Sequence, residues 1–214
     1  MKRILLTLAG TLFASSAMAH HPLNGMPMET FTHGLLSGVG HPVLGFDHLF
    51  FVVIVGIAAA MTRAKRIAPA AYIVAMLIGC FLMYAGQALP AKEVMIGLSL
   101  LVVGSIVVSG RALSLMPMLA LFAAFGLFHG SAFGDSIATQ EAAMGTSVLL
   151  GYFLGLGAIQ YVIAMAAGWV TSNIWKATDA SALQPRLAGA MVAGVGLFLT
   201  LENIEGPVLQ MITG

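Results

Sequence analysis

Residues 41–62 read HPVLGFDHLFFVVIVGIAAAMT, and this stretch decides the kind of fold to expect. Apart from two histidines and one aspartate in its first part, the stretch is almost continuously apolar. A helix needs about 20 such residues to cross the roughly 30 Å of hydrocarbon in a bilayer. We therefore interpret residues 41–62 as a membrane-spanning helix that carries His41, Asp47 and His48 near one end.

The composition of the whole chain supports the same class of protein. Of its 214 residues, 59% are hydrophobic and only 8% are charged, whereas a soluble domain carries about 25% charged residues. One cysteine excludes a disulfide framework, a zinc ribbon and an iron–sulfur cluster. The chain has no GxxxxGK[ST] loop for ATP and no block of Lys or Arg for nucleic acid. An integral membrane protein is the class that remains.

Five more apolar stretches of similar length follow the first, separated by Gly, Pro or charged residues. The six predicted spans are 41–62, 67–88, 93–110, 113–134, 145–172 and 186–204. The predicted fold is therefore all-α, a six-transmembrane-helix bundle that occupies residues 41–206. Residues 207–214 would form a short tail.

The first 19 residues have the pattern of a cleaved secretory signal peptide. Lys2 and Arg3 precede an apolar run over 4–14, which is too short to span a bilayer, and residues 17–19 read AMA, a small-x-small cleavage site. The mature chain would then begin at His20 outside the cytoplasm. Residues 20–40 would form a periplasmic segment that contains His and Met.

The charges between the spans indicate the orientation of the bundle. With the mature N-terminus outside, the inner loops carry six basic residues and the outer loops carry one. Basic residues favour the cytoplasmic side of a membrane. We expect a multi-pass protein of the bacterial inner membrane with both mature termini in the periplasm. The six inner basic residues are Arg63, Lys65, Arg66, Arg111, Lys176 and Arg186, and the outer one is Lys92.

The apolar region that begins at Thr30 is too long for one upright helix. A helix over 30–61 would be about 48 Å long at 1.5 Å per residue. Gly38, Gly40 and Pro42 offer a break, and proline is favoured at the first position of a helix. We expect the span to begin at His41 or Pro42, after an interfacial half-helix over 29–39.

On a straight helix, His41 and His48 would share one stripe about 10.5 Å apart along the axis. That distance is too long for both to bind one ion through nitrogen bonds of about 2.0–2.1 Å. We interpret His41 as an outer station for a metal ion, and Asp47 with His48 as an inner one. Asp47 could ligate directly, or could hold the second imidazole nitrogen of His48 from outside the ligand shell.

The fourth span brings another histidine to a similar depth. His129 lies six residues before Asp135, hence about 9 Å below the outer boundary at helical rise, in the stretch GLFHGSAFG at 126–134. Gly130 and Gly134 would allow this helix to approach the first one closely. We predict that His129 joins Asp47 and His48. The alternative is that these ionisable groups only lock two helices together, although burying them is costly in a membrane.

Three further residues are weaker candidates for metal binding. His20 and His21 begin the mature chain, where a flexible tail with soft donors could capture ions or could be non-specific. Glu202 near the end of the last span could add an oxygen ligand or could be an exposed interfacial carboxylate.

Imidazole and carboxylate donors without thiolate suit a borderline divalent ion such as Ni²⁺, Co²⁺ or Zn²⁺. The ion would be a transported substrate, and no permanently bound cofactor is expected. The expected partners are this ion and the lipid bilayer, not nucleic acid, and the sequence is compatible with a homo-oligomer.

The signal peptide, the HPVLGFDHLFFVVIVG stretch at 41–56, the GLFHGSAFG stretch and the six spans resemble the HupE/UreJ family. These small bacterial permeases are regarded as secondary transporters of nickel, sometimes cobalt, and are associated with hydrogenase and urease. The resemblance implies that His41, Asp47 and His48 form the functional motif and that His129 belongs to the route. It implies uptake of Ni²⁺, with Co²⁺ as the second candidate, into the cytoplasm.

Two other classes of function remain open at this point. An intramembrane zinc-dependent hydrolase could use Asp47, His48 and His129, but it needs three protein ligands and an open water position, and no HExxH helix is present. A metal-free membrane assembly subunit would tolerate replacement of Asp47 and His48. We expect that the protein is not an enzyme.

Overall fold

The computed structural model describes residues 28–138 and 145–213, and this part of the chain is built from helices. The predicted signal peptide, His20 and His21 lie outside the described residues. We number the helices in chain order. They are α1 Phe31–Leu44, α2 Phe46–Ala60, α3 Ile67–Tyr84, α4 Lys92–Val108, α5 Leu115–Ala138, α6 Thr146–Trp169, which continues as a π-helical turn Val170–Ile174, and α7 Leu183–Thr213.

The first span is broken at a different place from the one predicted. Helix α1 runs through Pro42 to Leu44, and α2 leaves it at an angle of 81°. Gly45 has extended backbone angles, its N–H donates to His41 O, and its own carbonyl accepts from Leu49 N–H. The prediction that the span begins at His41 or Pro42 is therefore wrong. Proline removes only one donor near a helix end, whereas extended angles at one residue redirect the chain.

Helix α1 begins where the Thr30 side chain accepts a hydrogen bond from His33 N–H at 3.1 Å, as helix-capping threonines do. It then packs along α6, and the two helices run in the same direction. A Cβ on Gly34 or Gly38 would collide with a carbonyl oxygen of α6, and one on Gly151 or Gly155 with a carbonyl oxygen of α1. The two backbones are therefore in direct contact, as small residues four apart allow in membranes.

The same small-residue packing joins α3 to α5. A Cβ on Gly130 would collide with Met76 O, and one on Gly134 with the Met83 side chain. The predicted close packing at these glycines is confirmed. The predicted partner helix is wrong, because the glycines face α3 instead of the first span. His129 is about 100° around the helix from Gly130, so the contact with α3 leaves its imidazole directed to α2.

Helix α2 is the central helix and contacts α1, α3, α4, α6 and α7. Phe51, Val52 and Ile54 on it are fully buried. By contrast, large apolar side chains are exposed on α7, such as Phe198 at 58% and Met191 at 66%. Because the lipid tails around a membrane protein are apolar, such a protein exposes apolar side chains around its apolar core. The protein is a multi-pass membrane protein.

Four of the described helices are long and apolar enough to cross a membrane, and a fifth span results if α1 and α2 count as one bent segment. The predicted count of six is not confirmed. Helix α4 has 17 residues, which lies at the lower end of the length needed to span. Helix α7 continues to Thr213 through most of the predicted tail at 207–214.

Candidate metal centre

The predicted meeting of His48 and His129 is observed. Their Nδ1 atoms lie 2.8 Å apart, although the residues are 81 positions apart in the chain. His129 is fully buried and His48 is 6% exposed. Two imidazoles from α2 and α5 thus share a hydrogen bond inside the bundle.

Aromatic rings enclose this pair of histidines. The His48 ring lies 4.0 Å from the Phe133 ring between centroids, and the His129 ring stacks on Phe51 at 4.3 Å with 21° between the planes. Phe51 and Phe133 are fully buried. An apolar wall around polar groups excludes water and strengthens electrostatic interactions inside it. It also limits the directions in which the two rings can move.

Asp47 precedes His48 in the first turn of α2, where a carboxylate interacts favourably with the helix N-terminus. Its Oδ2 lies 3.8 Å from His48 Nε2, and its side chain is 28% exposed against 7% for His48. Asp47 therefore stands on the more open side of the pair, next to the imidazole nitrogen that does not face His129. Two roles were predicted for Asp47, either as a metal ligand or as a support of the second imidazole nitrogen of His48. The position of Asp47 beside His48 Nε2 is compatible with both roles.

His41 lies closer to His48 than predicted, but in its own network of hydrogen bonds. The centroids of the two rings are 6.2 Å apart. The predicted separation of 10.5 Å on one stripe is wrong, because the bend at Gly45 places the residues on different helices. His41 Nδ1 lies 3.1 Å from Tyr152 Oη and 3.2 Å from Ser136 Oγ, on α6 and α5.

In residues 28–138 and 145–213, no three His, Cys, Asp or Glu side chains converge on one position for a metal ion. Glu202 is exposed on α7 and is not brought to the histidines. Cys80 is buried in the core. The centre consists of the neighbouring residues Asp47, His48 and His129, with His41 beside them.

Ser99, which lies in the apolar run of α4, was not among the predicted site residues. Its Oγ lies 2.9 Å from His129 Nε2, and both residues are fully buried. A polar side chain in a membrane helix commonly hydrogen-bonds to a neighbouring helix, so a serine in an apolar run was an available signal. It is a weak one, because serines occur at several other positions in these helices.

A second buried network lies near the His129 ring. Tyr72 donates a hydrogen bond of 2.5 Å to Gln160 Oε1, and Gln160 Nε2 lies 3.7 Å from the Met76 sulfur. The Tyr72 ring is 6.1 Å from the His129 ring between centroids. These contacts join α3 to α6 and satisfy polar groups that would be costly to leave unpaired in a membrane.

Charged groups collect near the start of α4 and the end of α5. Lys92 and Asp135 form an ion pair. Glu93 is close enough to Asp47 and Asp135 to interact with them electrostatically. Among the described residues, three carboxylates and one ammonium lie at this end of the centre, and an excess of carboxylates attracts cations.

Comparison with known proteins gives two matches. The family model described as HupE / UreJ protein matches residues 7–199. The chain is also 30% identical over 199 residues to Protein HupE of Rhizobium leguminosarum bv. viciae, an alignment that covers 92% of this chain and 96% of that protein. No solved structure matches the chain.

Proposed function

The chain belongs to the HupE/UreJ family, which is associated with nickel and cobalt uptake, and from this premise we propose that it is a secondary transporter of Ni²⁺, with Co²⁺ as the second candidate. The observation that carries the proposal is the buried pair His48 and His129 with Asp47 beside it. Ionisable groups inside a membrane bundle are costly and mark ion pathways.

The chemistry of the donors supports a borderline divalent ion as the cargo. Imidazole nitrogen and carboxylate oxygen suit Ni²⁺ and Co²⁺, whereas Cu⁺ prefers sulfur and Mg²⁺ prefers oxygen alone. Asp47 lowers the free-energy cost of removing water from the dication, because it brings a negative charge beside His48. The ion is a substrate that passes through, and no resident cofactor is part of the proposal.

The proposed direction is from the periplasm into the cytoplasm of a bacterium, to supply a nickel enzyme such as hydrogenase or urease. Asp47, Glu93 and Asp135 would collect the cation at the outer end, followed by passage at His48. An inward-negative potential favours the entry of a dication by about 4.6 kcal/mol per 100 mV, since each charge gains about 2.3 kcal/mol. The mature termini would both lie in the periplasm.

At the proposed inner end, a broad depression of about 690 Å³ is lined by Arg63 and Lys65 together with Thr62, Ser114 and Thr178. These basic side chains repel a cation, so the ion would leave this end instead of accumulating there. Conduction requires binding that is favourable enough to admit the ion and weak enough to release it.

The alternative of an intramembrane zinc hydrolase is less well supported than transport. A catalytic zinc needs three protein ligands around one ion, and the part of the chain that is described holds no such cluster. A permeating ion can pass with fewer protein ligands and keep part of its water shell. No specific contact favours a metal-free assembly subunit.

Radioactive nickel uptake into cells that produce the protein tests the proposal. We expect uptake with the wild type, and loss of uptake with His48→Ala, Asp47→Asn and His129→Ala at equal membrane levels. His33→Ala is a matched control, because His33 lies at the α1 N-terminus outside the centre. Retained uptake in all three variants would show that the centre is not on the route.

Competition by excess Co²⁺, Zn²⁺ or Cu²⁺ in the same assay determines the order of selectivity. We expect Co²⁺ to compete, because imidazole and carboxylate donors bind Co²⁺ in addition to Ni²⁺, although more weakly. Absence of competition by Co²⁺ would contradict Co²⁺ as the second candidate.

A further inference from the structure

We propose that Ser99 and His129 act as positioning residues that order the protons of the histidine pair, so that His48 offers an unprotonated Nε2 to the cation beside Asp47. The inference rests on the proposed function for the identity of the cation. The positions of the protons do not depend on the proposed function, because they follow from distances between heavy atoms.

The first proton belongs to the Ser99 hydroxyl. Ser99 Oγ lies 2.6 Å from Ile96 O, the carbonyl three residues earlier on α4. Two oxygens at this separation repel each other unless a hydrogen lies between them, and 2.6 Å is within the range of O–H···O hydrogen bonds. A carbonyl has no hydrogen to give, so the hydroxyl donates to Ile96 O and has only lone pairs left for other partners.

The second proton belongs to His129. Its Nε2 lies 2.9 Å from Ser99 Oγ, and the hydroxyl hydrogen is already directed to Ile96. His129 Nε2–H must therefore donate to Ser99 Oγ. A neutral imidazole carries one N–H and one lone pair, so Nδ1 of His129 is an acceptor.

The third proton belongs to His48. The two Nδ1 atoms are 2.8 Å apart, and His129 contributes a lone pair to this contact. His48 Nδ1–H must then donate to His129 Nδ1. In neutral His48, Nε2 is the unprotonated nitrogen, and it is the nitrogen that lies 3.8 Å from Asp47 Oδ2.

The two distances also decide where a cation fits. Two donors about 2.1 Å from one ion are about 3.0 Å apart at a right angle and about 4.2 Å apart on opposite sides. The distance of 3.8 Å between His48 Nε2 and Asp47 Oδ2 lies inside this range. The distance of 2.8 Å between the Nδ1 atoms lies below it and already contains a proton. The cation therefore binds between His48 and Asp47, and His129 acts through His48.

Such an arrangement is the usual way in which proteins orient a metal-binding histidine, whose second nitrogen donates to a fixed acceptor. Here the acceptor is His129, which Ser99 holds in one tautomer. Ser109, which directly follows the same helix, makes the same 2.6 Å bond to a carbonyl three residues earlier, but it is exposed. Ser109→Ala is therefore a matched control for Ser99→Ala.

The test is ¹³C and ¹⁵N NMR of the metal-free, histidine-labelled full-length protein in lipid nanodiscs, because ring shifts distinguish the two tautomers. We expect His129 with the proton on Nε2 and His48 with the proton on Nδ1. Ser99→Ala should convert His129 to a mixture of tautomers, and Ser109→Ala should leave it unchanged. A wild-type His129 protonated on Nδ1, or a Ser99→Ala spectrum without a change in tautomer, would overturn the inference.

Transport gives a second measurement. For nickel uptake, Ser99→Ala should raise KM, by less than the about 10- to 100-fold expected when the direct partner of a metal-binding histidine is removed, and Ser109→Ala should leave it unchanged. An unchanged KM in Ser99→Ala would contradict the inference. Absence of nickel uptake by the wild type would refute the proposed function alone, because the NMR result needs no metal.

Discussion

Replacement of Gly130 by alanine is a sharp test of how the bundle holds its histidines in place. Gly130 follows His129 in α5 and faces α3 without a side chain between the two backbones. An added Cβ would collide with Met76 O and would lie only 2.8 Å from Cys80 N. Ordinary contact begins at about 3.4 Å, so α5 must move away from α3 by at least 0.6 Å, and by more to clear Met76 O.

The consequence for stability is the sum of two effects. Overpacking of this kind costs about 1–3 kcal/mol, and the higher helix propensity of alanine returns about 0.8–1.0 kcal/mol. We expect a net loss of up to about 2 kcal/mol. A movement of 0.6 Å is also large compared with the 2.8 Å distance between the Nδ1 atoms of His48 and His129. If the movement lengthened that distance, the contact would approach the limit of a hydrogen bond.

The assay measures two quantities on Gly130→Ala, wild type and a control. Reversible unfolding in mixed micelles, followed through the fluorescence of the two tryptophans, gives the free energy of unfolding. Nickel uptake at equal membrane level gives function. Gly194→Ala is the control, because a Cβ there meets no atom within 4 Å, and it should be neutral or slightly stabilising. Equal stability and uptake in Gly130→Ala and Gly194→Ala would refute the close packing of α3 on α5.

Three further predictions concern pH and hydrogen bonds. Nickel uptake should be slower at about pH 5.5 than at about pH 7.5, since a ligating imidazole must be neutral and lower pH favours protonated imidazole. An uptake rate that does not change over this range would contradict histidine ligation. Tyr152→Phe should lower the free energy of unfolding by about 1–3 kcal/mol, because it removes a buried partner of His41, and equilibrium unfolding measures this loss. The hydroxyl and backbone N–H of Ser181 lower the pKa of Asp179, so Ser181→Ala should raise that pKa toward its ordinary value in an NMR titration. Because the folded pKa is lowered, this interaction stabilises the protein above the unfolded pKa and is lost as pH falls through the folded one.

The control for the pH prediction is a substrate that does not need histidine, such as potassium uptake by the same cells. Tyr161→Phe is the control for Tyr152→Phe, since Tyr161 lies on the same helix and is only half-buried. Equal losses in the two variants would show that the hydroxyl of Tyr152 makes no special contribution. An unchanged Asp179 titration in Ser181→Ala would show that the Ser181 hydroxyl bond is absent in solution.

Some features of the protein were predictable because they depend on local sequence. Long apolar runs with few charges require a membrane, whatever the arrangement of the helices. The resemblance to the HupE/UreJ family is confirmed by the match over residues 7–199. The meeting of His48 and His129 was also predicted from their positions along two helices, although the straight helix assumed from His41 to His48 is bent at Gly45.

The sequence alone determined that this is a helical membrane protein of a known permease family with ionisable groups in its apolar stretches. Only the tertiary structure decided that the chain bends at Gly45, that Gly130 faces α3, that His41 joins Tyr152, and that Ser99 supports His129. Hydropathy and helical periodicity are properties of neighbouring residues, so they can be counted in the sequence. The direction of a side chain inside the bundle depends on which helix faces meet, and that is decided by backbone contacts between residues far apart in the chain.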